Sequence, residues 1–191
     1  MADITISGLS QGIPDKNTAI IPYSDGSTTY KTSPSAIVAA SPGSVLQVVQ
    51  AYKTDLWSTT TRDTWQTVPG LTVSITVKSL LNRVLVEGNI TGGRSFFGEG
   101  GGYDAVIRLL KNNVPTGNSS AGYIGQFAGV EQYESSVKSF RYLDNITQLS
   151  NTYTIQFYLF GGAGSVGYIN ARGAFGDFVS VSDLTLTEIA G

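Results

Sequence analysis

Few residue types in this chain can do chemistry on a bound substrate. It contains neither histidine nor cysteine. Imidazole and thiolate metal sites, Cys–His or Ser–His–Asp nucleophiles and disulfide frameworks are therefore closed to it. The densest glycine run is Gly98-Glu99-Gly100-Gly101-Gly102-Tyr103-Asp104. A phosphate-binding loop needs Gly-Lys-Ser/Thr opening a helix, whereas these glycines lead into a strand with no lysine behind them. The run reads as an inter-strand loop, and Gly161-Gly162-Ala163-Gly164 reads the same way. Glu99 and Asp104 offer the hard oxygens that calcium prefers, but their spacing fits no EF-hand loop, so solvated acids are the expectation. Two carboxylates suffice for glycoside hydrolysis, yet no pair stands out among the scattered acids. The chain is read as not an enzyme, with no catalytic, cofactor-binding or metal residues. Asn89-Ile90-Thr91, Asn118-Ser119-Ser120 and Asn145-Ile146-Thr147 fit the glycosylation acceptor pattern, which chance explains in a chain this rich in serine and threonine.

Aromatic side chains carry more information. Trp57, Trp65, Tyr123, Tyr133, Tyr158 and Tyr168 exceed what one small sandwich core takes. Such rings stack on sugars, or they fill a subunit interface, where tyrosine and tryptophan concentrate. Charged residues make up only 14% of the chain, against roughly 25% in a typical domain, which favours the interface. Twelve basic and 14 acidic residues give a net charge of −2, so no basic excess points to nucleic acid. The polar start, with Asp3 and no basic region before an apolar run, is unlike a secretory signal. No apolar run reaches the ~20 residues of a membrane helix. The expectation is a soluble protein made in a cytoplasm and used as synthesised, with no membrane or nucleic-acid partner.

The elements that would position these residues are strands. Leu71, Val73, Ile75 and Val77 alternate with polar residues; Tyr153, Ile155, Phe157 and Leu159 share one face; Leu184 and Leu186 do likewise. Lys138, Phe140 and Tyr142 share a face of another run, Gly88 marks a possible bulge in the Val84–Ile90 run, and Asn112-Asn113 signals a turn. No segment keeps a helical period. The composition and spacing predict an all-β chain, a β-sandwich or jelly roll of about eight strands. Residues 44–191 form this body, and residues 1–43 form an extended N-terminal arm with its linker. In the arm, Ile20–Tyr23 and Thr28–Lys31 flank Ser24-Asp25-Gly26-Ser27 as a small hairpin, and Ser33-Pro34 opens a short helix. An isolated hairpin is marginal, so the arm is expected to pack on a partner. Its candidate partner-binding residues are Ile4, Ile6, Leu9, Ile13, Ile20, Ile21, Tyr23, Tyr30 and Ile37.

The stretch SVLQVVQAYKTDLWSTTTRDTWQTVPGLTVSITV, over Val45–Val77, resembles the start of a domain common in bacteriophage fibre proteins, with Val77-Lys78 where that family often has proline. RVLVEGNITGG at Arg83–Gly93 and VSVSDLTLTEIAG at Val179–Gly191 fit the same pattern. The arm is similar to the virion-anchoring heads of phage fibres and decoration proteins. The resemblance implies a homotrimeric jelly roll on a phage virion, held by its arm on the major capsid protein or another virion structural protein, with no catalytic residues to carry over. The absence of a shaft between arm and body favours a capsid decoration (cement) protein or short head fibre. The alternatives are a short tail fibre or receptor-binding protein, and a carbohydrate-binding β-sandwich module.

Overall fold

A computed structural model describes residues 21–24, 29–32, 41–95, 104–127, 135–161, 164–171 and 179–191. The chain divides into two compact units, Met1–Ser44 and Val45–Gly191. In the first, β1 (Ile21–Ser24) pairs antiparallel with β2 (Thr29–Thr32), Ile21 opposite Thr32 and Ser24 opposite Thr29. Each strand begins one residue later than its expected flank. The helix expected at Ser33–Ala40 lies outside the described residues.

The second unit is built from strands: β3 (Val45–Lys53), β4 (Trp57–Thr59), β5 (Trp65–Thr76), β6 (Arg83–Ser95), β7 (Ala105–Lys111), β8 (Val114–Thr116), β9 (Tyr123–Phe127), β10 (Ser135–Asn145), β11 (Ser150–Leu159), β12 (Val166–Ile169) and β13 (Ser182–Ile189). They form a β-sandwich. One sheet has the order β3-β13-β6-β12-β4, with β10 on the other edge of β6; the second has the order β5-β11-β7-β8, with β9 also on β7. Among the described residues the eleven strands exceed the expected eight or so because three short ones, β4, β8 and β12, extend sheets built from eight principal strands.

The alternation read from sequence places the core. Leu71, Ile75, Tyr153, Ile155, Phe157, Leu159, Ile107 and Leu109 line the inner face of the five-stranded sheet. Val84, Val86, Ile90, Leu184 and Leu186 meet them from the six-stranded sheet. Burying each such side chain is worth about 1.5–3 kcal/mol. Trp57 meets Phe157 edge-on at 5.5 Å, and Phe127 stacks on Phe157 at 6.1 Å.

Gly88 does not make a bulge. The β6–β10 register runs unbroken from Arg83–Asn145 to Gly93–Ser135, with Phe140 directly opposite Gly88. A Cβ on Gly88 would lie 2.6 Å from Phe140 Cε1, so the glycine is the seat of that ring. The bulge is instead in β5, where Thr154 pairs with Thr72 but Gln156 with Thr67. Val68, Pro69, Gly70 and Leu71 stand there against Ile155 alone, with Gly70 at φ +82°, on an edge strand that tolerates proline. Asn112 and Asn113, both at positive φ, form the two-residue turn between β7 and β8.

Polar ties join the sheets at one end and brace the six-stranded sheet at the other. At one end Val45 pairs with Ile189, and the buried Glu188 carboxylate accepts from the Lys78 backbone N–H (2.7 Å), Asn82 Nδ2 (2.5 Å) and Gln47 Nε2 (2.6 Å). Nearby, Lys111 Nζ lies 2.6 Å from Asp144 Oδ2, to which the buried Tyr153 hydroxyl donates at 2.5 Å. At the far end Asn170 donates to the Lys53 carbonyl at 2.6 Å and accepts from Ser182 Oγ at 2.6 Å.

Candidate functional site: two outward sheet faces

Of the arm residues, Ile21, Tyr23 and Tyr30 are in the described hairpin, while Ile4, Ile6, Leu9, Ile13, Ile20 and Ile37 lie outside the described residues. So does Glu99. Asp104 is occupied locally: its carboxylate accepts from the Gln126 amide and its carbonyl accepts from the Phe160 N–H at 2.9 Å. Among the described residues no three acidic side chains gather into a metal site.

The surplus aromatics separate into groups. Trp57 belongs to the core margin, and Tyr168 is buried with its hydroxyl donating to the Arg94 carbonyl at 3.2 Å. Tyr133 lies outside the described residues. Trp65, Tyr123 and Tyr158 come together on the outer face of the five-stranded sheet, and strand register explains how. Trp65, Tyr158, Val106 and Gln126 form one row across β5, β11, β7 and β9; Thr67, Gln156, Arg108 and Tyr123 form the next. The Trp65 indole reaches inward from the edge strand. The Arg108 guanidinium stacks on it at 4.0 Å, Tyr158 is 5.1 Å away and Tyr123 5.9 Å. Phe160 extends the cluster, 4.5 Å from Tyr158.

Hydrogen bonds hold this assembly in place. Arg108 Nε and Nη2 both donate to Gln156 Oε1, at 3.0 and 2.7 Å. Burial pulls the Arg108 guanidinium below its ordinary range, and the guanidinium keeps its charge because that range lies so high. The Tyr158 hydroxyl is pushed up by loss of water and by the Asp63 carboxylate that it bonds. Arg62 Nη1 donates to the Gly161 carbonyl at 3.0 Å, fixing the loop beside Phe160. Further along the same face the rows turn to hydroxyls: Thr72 meets Thr154 at 3.3 Å and Ser74 meets Thr152 at 2.7 Å.

Arg108 and Gln156 belong to no motif, and the sequence reading passed over them. Their signal is parity. Arg108 alternates with buried Ile107 and Leu109, and Gln156 with buried Ile155 and Phe157, so both must face outward beside the aromatics.

The outer face of the six-stranded sheet is different. Val48, Tyr52, Val137 and Leu143 stand there at 55%, 62%, 57% and 43% exposure. Between them are Glu87–Arg141 (3.2 Å), Asn89–Asp183 (3.0 Å) and Ser139–Asn89 (2.7 Å) contacts. A shallow groove of about 330 Å³ follows Glu87, Asn89, Ser139 and Arg141 over Phe140.

No family model matches the chain, and no curated protein matches it. Among solved structures it is similar to the VP2 capsid protein of infectious bursal disease virus in a subviral particle, with a TM-score of 0.39 and 15% identity, over 90% of this chain and 42% of that one. A structure of the Gt strain of the same virus has the same score and identity, over 90% and 43%. The chain spans about two fifths of the length of those proteins. Likeness at this score assigns neither family nor function.

Proposed function

We propose that this chain is a structural protein of a bacteriophage particle, a trimeric capsid decoration protein or short head fibre anchored by its arm, and not an enzyme. The observation that carries the reading is the wiring of the sandwich. Its principal strands run β3-β13-β6-β10 in one sheet and β5-β11-β7-β9 in the other. We read this order as a jelly roll, the architecture that the Val45–Val77 resemblance implies, and one used by capsid and lectin domains. Fold alone does not fix function, so the surfaces matter. The exposed apolar side chains of β3 and β10 give the six-stranded sheet a face suited to contact with copies of itself, and closed cyclic symmetry limits such assembly to a defined oligomer. Three arms per trimer would act multivalently, so weak individual contacts would hold firmly.

The test has two parts. Sedimentation of the full chain is expected to give a trimer at micromolar concentration, and a monomer would overturn the assembly reading. A variant lacking Met1–Ala40, offered to particles without this protein, is expected to remain trimeric and fail to attach. Full occupancy by the truncated protein would shift the anchor to the sandwich.

A further inference from the structure

We propose that the aromatic cluster on the outer face of the five-stranded sheet is a binding site for a neutral saccharide, with Trp65 as the stacking platform. A pyranose ring presents C–H groups on one face and hydroxyls around its rim. A site for it needs an apolar aromatic surface and planar polar groups at its border. Both are present in adjacent rows of one sheet. Trp65 is half-buried, held by Arg108 at 4.0 Å and flanked by Tyr158 and Tyr123, the latter 50% exposed. The border is polar and already oriented: Gln156 fixes Arg108 through Nε and Nη2, and no hydrogen bond engages Nη1 among the described residues. Guanidinium and amide groups together donate to and accept from hydroxyls.

Charge selects the class of ligand. Among the described residues Arg62 and Arg108 are balanced by Asp63 and Asp104, whose local partners all lie in this region, so these groups together offer no net attraction to an acidic or basic polymer. This separates it from a phosphate or sulfate site, which would leave a basic excess. The site also has a defined place along the sandwich. Trp65, Tyr158 and Val106 belong to the end of the sandwich where β3 finishes, whereas Val45, through which the arm joins, is at the other. A nine-residue strand at about 3.3 Å per residue puts those ends roughly 30 Å apart. The site is also separate from the apolar face on the six-stranded sheet. It does not rest on the particle reading and can fail or stand without it.

The probe is an array of neutral hexose and N-acetylhexosamine oligosaccharides printed beside sialylated and sulfated ones, read with the full chain. Binding to neutral members is expected, with a change in tryptophan fluorescence in solution, since the only other tryptophan, Trp57, packs in the core margin. Trp65→Ala is expected to weaken binding about tenfold or more through loss of the stacking surface. Should that variant fail to fold, Tyr123→Ala, at an exposed ring, is expected to weaken it severalfold, while Thr72→Ala further along the same face leaves it unchanged. Binding to no array member, binding to acidic members only, or binding indifferent to both aromatic variants would overturn the proposal. So would conversion of an oligomer to monomer by Tyr123→Ala, which would make the platform a protein interface.

Discussion

Glu188 shows what a single buried group can be asked to hold. Its carboxylate is enclosed where β13 meets the ends of β3 and β5, and three donors reach it from Gln47, Lys78 and Asn82. Burial pushes the carboxyl up; the Lys78 N–H and the Asn82 and Gln47 amides pull it down and prevail, leaving it below its ordinary value of 4.5. A carboxyl with a depressed folded-state pKa stabilises the fold above its unfolded value, and that contribution disappears as pH falls through the folded value. Stability should therefore be flat near neutrality and decline below about pH 4.5. Glu188→Gln replaces one acceptor oxygen by a donor facing donors. It should cost about 2–3 kcal/mol at pH 7, measured by urea unfolding, and the gap to the parent should narrow in acid. A variant equally stable at pH 7 would mean that the network contributes nothing net.

At the scale of elements, legibility followed the period of two. Leu71–Val77, Tyr153–Leu159 and Leu184–Leu186 declared their inner faces because one side of each strand meets the core and the other meets water. Strands of three to five residues, such as β4, β8 and β9, are too short to show a period. The Pro69-Gly70 bulge hid the continuity of β5, whose first residue is the platform tryptophan. Excess aromatics were visible in the sequence; their convergence was not, because Trp65, Tyr123 and Tyr158 meet only through the register of four strands. Gly88 is the instructive misreading. Glycine in a strand signals either a bulge or a close approach, and only the partner strand decides between them. Gly88→Ala would set its methyl 2.6 Å from Phe140 Cε1 and 2.8 Å from the Asp183 carbonyl oxygen. Because that carbonyl belongs to the paired backbone of β13, the strain cannot be relieved by the ring alone. A loss of about 1–3 kcal/mol is expected in thermal or urea unfolding. Adding Phe140→Leu should recover only part of it.

At the scale of the whole molecule, the described sandwich is held by an apolar core and by hydrogen-bonded ties at its ends, without a disulfide. Among the described residues no acidic cluster recruits a cation. Treatment with a chelator is expected to leave the melting temperature unchanged; a drop of several degrees would reveal a metal held elsewhere, with Asp104 and Glu99 as the first suspects. The two outer faces divide the surface by chemistry. One exposes Val48, Tyr52, Val137 and Leu143 around an ion pair and its neighbouring hydrogen bonds, and the other carries hydroxyl ladders ending in a ring cluster.

The pairing of β3 with β13 also decides how the sandwich bears mechanical load. The segment preceding the body enters at Val45, opposite Ile189, and β3 then runs the full length of the sheet to Lys53, opposite Ser182. A pull on Val45 directed out along the strand axis shears this ladder, so its rungs resist together. A pull separating Val45 from Ile189 sideways would peel them one at a time. A tether at this position therefore loads the sandwich in its stronger direction whenever drag on the far end draws it straight.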